Sequence, residues 1–431
     1  MEVVMNTLAM MDYIKSGALD SALVSLYGER SLQKQKERYL GAISEFGAAY
    51  GEERDISLFS VPGRSELSGN HTDHNKGCVI AASIDLDIIA VAAKRDDAVI
   101  RLKSAGFPED VVDISAYTEP DGKRFGSSAS LIAGMCRGFV ESGYAVGGFD
   151  AYTTSNVLGG SGLSSSAAFE DMVGNILNHL YNHGTVDNVQ IGKLAQYAEN
   201  VFFGKPCGLM DQLACAVGGV IAIDFADTSS PVIEKIDVDI TKEGYCLCIV
   251  NTGGNHADLT DDYASVPAEM KSVAKAFGKD CLRETDRENI IASIPALRSS
   301  VGDRAIMRAL HFFEENKRVE RQKSALLEGR FSDFLGEVIA SGRSSFCYLQ
   351  NVFTTKNVSE QGISLALCLA ESYLSDKKGA WRVHGGGFAG TVQAFVREED
   401  AEGFKEFIDS AFGEGKCMIL KVRLDGAIKL A

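Results

Sequence analysis

The 431-residue sequence has no CxxC pair, only 7 prolines, no apolar run approaching the length of a membrane span, and less positive than negative charge. Each lack closes off a class of function. The 10 cysteines lie scattered without the rhythm of a metal-ligand set or a disulfide framework, and Cys246 and Cys248 alternate along an apolar run as strand residues do. That usage suits a reducing compartment. Lys and Arg number 43 against 59 Asp and Glu, a formal charge of −16, so no broad basic face is on offer to nucleic acid or to an anionic membrane. An anionic nucleotide would have to be held locally, by loops and a bound cation. The start, MEVVMNTLAMMDYIKSG, carries neither a basic segment leading into a long apolar stretch nor a small-residue cleavage site, and the expectation is a soluble cytoplasmic protein. The scarce prolines leave domain borders unpunctuated, while the length and the 45% hydrophobic content predict two domains.

What is present is a mixture of periods. Leu32, Tyr39, Leu40, Ile43 and Phe46 recur at helical spacing before Gly51. DISLFSVPG then alternates as a strand that is expected to end in a turn at Pro62 and Gly63, and DDAVIRLKS reads as the hairpin partner of the strand CVIAASIDLDIIAVAAK. A Gly/Ser loop runs into an amphipathic helix carrying Ala168, Met172, Ile176, Leu177 and Leu180. Later come a strand at YCLCIVN, amphipathic helices between Leu259 and Gly342, and strand, helix, strand from WRVHGGGFAGTVQAFV onward. Strands and helices mix without strict alternation, which favours an α+β fold over a doubly wound sheet.

Two stretches carry chemistry. GGSGLSSSAA, residues 159 to 168, places three glycines before serines at the first turn of a helix, where unpaired N–H groups and the helix dipole favour phosphate. It lacks the Lys of a P-loop and the spacing of a dinucleotide fingerprint, so a plain Gly/Ser linker is its alternative. SGNHTDHN, residues 68 to 75, reads three ways: a solvated turn, a metal site in need of a third ligand, or a set of hydrogen-bonding groups for a polar small molecule.

GLSSSAA, together with VPGR and GNHTDHNKG upstream, KPCGLMDQ at 205 to 212 and HGGGFAGT at 384 to 391, resembles the GHMP kinase superfamily and, within it, the galactokinase family. The motifs come in the family's order over nearly the whole chain. The resemblance implies a two-domain α+β architecture, with a ribosomal-S5-like N-terminal domain at 1–225 and a ferredoxin-like C-terminal domain at 226–431 whose last strand returns to the first. It implies transfer of phosphate from ATP to the C1 hydroxyl of galactose. By similarity Gly160, Gly162, Leu163, Ser164, Ser165 and Ser166 lie at the ATP phosphates, and Ser166 with Glu199 holds Mg²⁺. Asp211 is the residue that takes or orients the hydroxyl proton, with Arg64 as the cation beside it. A carboxylate next to a guanidinium is a weak base, so both roles for Asp211 stay open. Asn70, His71, Asp73, Gly208 and Tyr263 are the implied sugar contacts, which answers the question of the 68–75 stretch. The implied partners are a small sugar and ATP, with no nucleic acid or membrane and a monomeric working state.

The family usually reads GRxNLIGEHTDYN at the first motif, and this chain reads GRSELSGNHTDHN. Glu66 replaces an Asn, His74 a Tyr, and Asn70 the Glu that in the family approaches the sugar's C6 hydroxyl. An amide can donate where a carboxylate only accepts, and it does not repel a negatively charged C6 group, which raises galacturonate or another C6-altered sugar as an alternative substrate. GRSSFCYLQNVF also lacks the acidic pair that the family tends to carry in the corresponding late helix. A non-catalytic sugar sensor is the reading from a different class, and the survival of Arg64, GLSSSAA and Asp211 opposes it. Mevalonate or homoserine as acceptor is opposed by NHTD and PCGLMDQ.

Overall fold

The structure is a computed structural model in which residues 5–157, 162–253 and 259–431 are described. Two sheets organise the chain. The first has nine strands: β1 (Met5–Asn6), β2 (Asp55–Ser68), β3 (Cys78–Lys94), β4 (Val99–Ser104), β5 (Glu109–Asp113), β6 (Phe149–Ser155), β7 (Val220–Asp224), β8 (Val232–Ile236) and β13 (Ile428–Lys429). The second has four, in the order β10 (Ala380–His384), β11 (Thr391–Arg397), β9 (Tyr245–Asn251) and β12 (Cys417–Leu420).

The long β3 explains the shape of the first sheet. Its first residues pair with β7 and its last with β6, while β2 runs along its other edge, so the sheet splits around one strand. Alternation along β3 then decides the layers. Ile88, Ala90 and Ala92 face a core made with the helices Ser128–Glu141 and Ser165–Tyr181, and Ile89, Val91 and Ala93 face one made with the helix Leu32–Tyr50. A third core, including Leu67, Ile80, Leu163, Leu247, Phe334 and Phe395, joins the first sheet to the second.

Two expectations are corrected here. β2 does not end at Pro62 and Gly63: it bulges between Pro62 and Arg64 and continues to Ser68. A bulge inserts a residue and turns the strand, so the proline is accommodated where a ladder bond is already interrupted, and Arg64 is re-aimed. β4 is not the hairpin partner of β3; it pairs in parallel with β6 and antiparallel with β5. Local alternation cannot reveal which neighbour a strand takes.

A buried ion network ties distant segments together. Asp87 accepts from Tyr27 and Ser60 hydroxyls and from Arg38 and Arg423, linking the N-terminal helices and β2 to the segment before β13. Among the described residues no helix is long and apolar enough to cross a membrane.

Candidate active site

A cleft of about 230 Å³ opens where the loop after β2, the turn between β10 and β11, the segment 205–211 and the helix Thr260–Ala276 meet. It is smaller than drug-sized pockets of about 300–1,000 Å³, which suits a small polar molecule. Arg64, Asn70, His71, Asp73, Gly208, Asp211 and Tyr263, dispersed over two hundred positions of sequence, all line it.

One wall is built around Asp211, in the first turn of the helix Met210–Val217. Its Oδ1 accepts from Arg64 Nε at 2.8 Å, with Arg64 Nη2 also at 2.8 Å, and its Oδ2 accepts from Ser164 Oγ at 2.6 Å. Arg64 Nη1 donates to Gly162 O at 2.5 Å, and the Arg64 backbone N–H donates to Leu163 O at 3.1 Å. Burial works against the Arg64 charge, and the adjoining Asp211 outweighs it, leaving the guanidinium above its ordinary pKa. A single carboxylate therefore fastens β2 to the entrance of the helix Ser165–Tyr181. Ser164 takes φ 60°, a left-handed conformation costly for a residue with a Cβ and typical of functional sites. Ser165 and Ser166 follow in the first helical turn, where N–H groups lack intrahelical partners. Leu163 is wholly buried in the core between the sheets and offers this region its backbone, not its side chain. Gly160 lies outside the described residues.

The opposite wall is the 68–75 loop. His71, also left-handed at φ 61°, donates from Nε2 to Gly386 O at 2.9 Å, which leaves Nδ1 as an acceptor. Burial pulls its pKa down to about 3, so the ring is neutral. Asp73 begins a short 3₁₀ turn, and a Cβ on Gly208 would lie 3.0 Å from its Oδ2, so glycine at 208 keeps this carboxylate accessible. Tyr263 packs 5.3 Å from the His71 ring and so tightly on Gly386 that a Cβ there would fall 1.8 Å from it.

Asn70 behaves differently from expectation. Its Nδ2 donates to Gly385 O at 2.7 Å and to Glu66 Oε1 at 3.3 Å, and its Oδ1 accepts from Asn351 Nδ2 at 2.8 Å and Ser345 Oγ at 3.3 Å. The amide is committed to the protein and bridges three segments. Support continues behind the loop along the helix Asp303–Leu327. His311 Nε2 donates to Asn70 O at 3.1 Å, Glu315 accepts from the Gly69 N–H at 3.4 Å, and Asn316 from the Cys78 N–H at 2.7 Å.

Glu199 sits in a π-helical turn, Ala198–Phe203, buried and not on the surface of a helix. Its Oε1 pairs with Lys205 Nζ at 2.9 Å and its Oε2 accepts from Gln212 Nε2 at 2.8 Å; the same nitrogen lies 3.3 Å from Glu170 Oε2. Glu170, one helical turn after Ser166, was missed by the sequence reading, although the i, i+4 spacing could have pointed to it. Glu170 Oε1 and Gln212 Oε1 are buried without partners, and burial together with Glu199 pushes the Glu170 carboxyl well above its ordinary range. Two crowded carboxylates and an unused amide oxygen form the donor set of a hard cation, so these residues fit Mg²⁺. Among the described residues no group of three or more His, Cys, Asp and Glu could hold a metal, and Mg²⁺, which takes only one or two carboxylates, does not require one.

Glu66, noted in the sequence only as a departure, also lines the cleft. Burial raises its pKa against the pull of Arg382, and Asp73 adds to the rise.

Two family models match the chain: the galactokinase galactose-binding signature over residues 44–94, and the GHMP kinases N terminal domain over residues 130–219. Over 380 residues it is 31% identical to the galactokinase of Streptomyces coelicolor, an alignment covering 87% of this chain and 94% of that protein. The chain belongs to the galactokinase family. Clostridium tetani galactokinase is 29% identical over 374 residues, covering 86% of this chain and 91% of that one. Lactococcus lactis galactokinase complexed with galactose superposes with a TM-score of 0.75 at 25% identity, over 91% of this chain and 100% of the other. A mevalonate kinase at TM-score 0.60 and 14% identity shares the fold alone. The galactose-binding signature coincides with β2, the 68–75 loop and β3, so the galactokinase likeness falls on the wall described above.

Proposed function

We propose that this galactokinase-family chain transfers the γ-phosphoryl group of ATP to the C1 hydroxyl of galactose, giving galactose 1-phosphate and ADP. The observation that carries the reading is the junction at Asp211, where one carboxylate meets Arg64 and Ser164 on the wall of a sugar-sized cleft. Phosphoryl transfer asks little covalent chemistry of a protein; it asks for alignment, charge neutralisation and exclusion of water. Asp211 orients the hydroxyl or takes its proton. Arg64 supplies fixed positive charge beside the transferring group, with no reorganisation needed at the moment of reaction. The N–H groups of Ser164, Ser165 and Ser166 face the ATP phosphates at the helix entrance. Ser166, Glu199 and Glu170 would hold Mg²⁺, which would offset the negative charge of the phosphates.

On the sugar side, Asp73 can accept from two adjacent hydroxyls, and His71 Nδ1 adds a neutral acceptor. Tyr263, seated on Gly386, covers the ring. The working unit in this reading is a monomer, and the free thiols suit a reducing cytoplasm.

The C6-altered alternative rested on a donor at Asn70 and on the loss of a repelling carboxylate there. Both amide hydrogens are engaged, and Glu66 beside Asn70 returns a carboxylate to the same cleft. The test is ADP release with Mg-ATP against galactose, galacturonate, N-acetylgalactosamine, glucose, arabinose, mevalonate and no sugar. Galactose as the best acceptor supports the reading. A preference for another member refutes the substrate, and silence across the panel points to a sensor.

A further inference from the structure

Glu66 lies two residues past Arg64 on β2 and borders the same cleft as Asp73 and Asp211. Its two oxygens have different surroundings. Oε1 accepts from Arg382 Nη2 at 2.5 Å and from Asn70 Nδ2 at 3.3 Å. Oε2 accepts from no group among the described residues, and it is not among the buried atoms left without a partner. The side chain retains 8% of its surface, and the cleft is where Glu66 meets solvent. The backbone around it is pinned: Gln393 Nε2 donates to Glu66 O at 3.0 Å and Arg382 Nη1 to Leu67 O at 2.9 Å. The result is a fixed acceptor with one open valence, next to an Asn70 amide that has none to spare.

The charges around it point to the kind of ligand. Arg64 is occupied by Asp211, Lys205 by Glu199 and Arg382 by Glu66 itself. Of the two histidines of the lining among the described residues, His71 is neutral, and His74 has its Nε2 4.0 Å from Asp73. A carboxylate on a ligand would meet Glu66 and Asp73, and among the described residues each guanidinium and ammonium of the lining is already paired with a carboxylate of the protein.

We propose that Glu66 is a specificity-determining residue whose Oε2 accepts a hydrogen bond from a hydroxyl of the bound hexose and whose charge excludes sugars carrying a carboxylate at that position. The proposal rests on the galactose kinase reading and sharpens it: the acceptor must be neutral and hydroxylated. It also transfers to Glu66 the substrate contact that the sequence had placed on Asn70.

The experiment measures KM and kcat for galactose, the four monodeoxygalactoses and galacturonate, using wild type, Glu66→Gln and Glu66→Asp. The Gln variant keeps an oxygen for Arg382 and Asn70 and turns a donor toward the cleft. It is expected to raise KM for galactose roughly 10- to 100-fold, as loss of a hydrogen bond to a charged group does, with the effect on KM exceeding that on kcat. The penalty should disappear for one monodeoxygalactose, the one lacking the partner hydroxyl, and galacturonate should become a measurable substrate. Glu66→Asp withdraws the carboxylate by one methylene while keeping its charge; it should weaken galactose and still exclude galacturonate. The galactose-induced rise in melting temperature reports binding without turnover, and Glu66→Asp carries the test if the Gln variant does not fold. Unchanged KM in both variants, or an equal penalty for all four deoxy sugars, overturns the proposal. A wild type that releases no ADP with galactose overturns the underlying function instead.

Discussion

Replacing Asp211 by Asn or Ala separates the chemical from the architectural duty of the carboxylate. In the Ala variant Arg64, 7% exposed, keeps Gly162 O alone, among the described residues, as a partner of its side chain. Breaking a fully buried ion pair costs about 3–5 kcal/mol. The Asp211 side chain is 36% exposed, so water takes up much of that and a loss of about 1–2 kcal/mol is expected. The melting temperature then falls by only a few degrees, and the enzyme stays folded. Asn keeps an acceptor for Arg64 and can donate to Ser164 Oγ, so it should be closer to wild type in stability. Catalysis follows a different scale. Loss of a proton-handling group is worth about a hundred- to ten-thousandfold in rate, or about 2.7–5.5 kcal/mol of barrier. Both variants should therefore lose kcat by at least a hundredfold while the galactose-induced melting shift persists. The assay is ADP release at saturating galactose beside that shift. An Asn variant retaining more than a tenth of wild-type kcat would refute the role given to Asp211.

Three further outcomes are expected. Gly386→Ala puts a methyl group where the Tyr263 ring lies, at 1.8 Å, so the ring must move and KM for galactose should rise at least tenfold; an unchanged KM would remove Tyr263 from the sugar site. Asp87→Asn leaves Arg423 and Arg38 facing an uncharged amide and should cost about 3–5 kcal/mol in denaturant unfolding at neutral pH. Burial opposes ionisation of Asp87, yet Arg38 and Arg423 hold its carboxyl below the ordinary value. Its stabilisation is therefore complete above about pH 4 and fades as pH falls through the depressed folded value, so the gap between variant and wild type must close in acid. Glu170→Gln removes a carboxyl whose folded pKa is raised, a group that destabilises the native state as pH climbs past its unfolded value. The variant should melt higher at neutral pH without Mg-ATP, lose that part of the pH dependence, and need more Mg²⁺ for half-maximal activity; a lower melting temperature would count against the crowding of Glu170 and Glu199.

The parts legible in the sequence were those in which local chemistry and local geometry coincide. The helix after GLSSSAA, the helix from Leu32, and the strands at YCLCIVN and WRVH each announce themselves by period. His71, Asp73, Gly208, Asp211 and Tyr263 came from motifs, and the structure brings them to one cleft. What stayed hidden depends on neighbours far along the chain. The Asn70 amide was given to the sugar by its place in the family motif; of the groups that claim it, Gly385, Ser345 and Asn351 lie about three hundred residues away. Ser164 was assigned to phosphate, and only the fold shows that its hydroxyl is held by Asp211. Glu170 is visible in the helix after the phosphate loop, but its crowding against Glu199 arises when a π-helical turn folds back beside it. The bulge at Pro62 was hidden for a similar reason, since a proline and a glycine in succession announce a turn whether or not a neighbouring strand continues to pair.

The supports of the 68–75 loop also have a consequence for synthesis. His311, Glu315, Asn316 and Asn351 leave the ribosome some two hundred and forty or more residues after the loop they hold. A nascent chain that has already made the helix entrance at Ser164 and the carboxylate at Asp211 thus still lacks the struts of its sugar wall. Nucleotide recognition can mature ahead of sugar recognition, and galactose finds a formed seat only when the second sheet and its helices have docked.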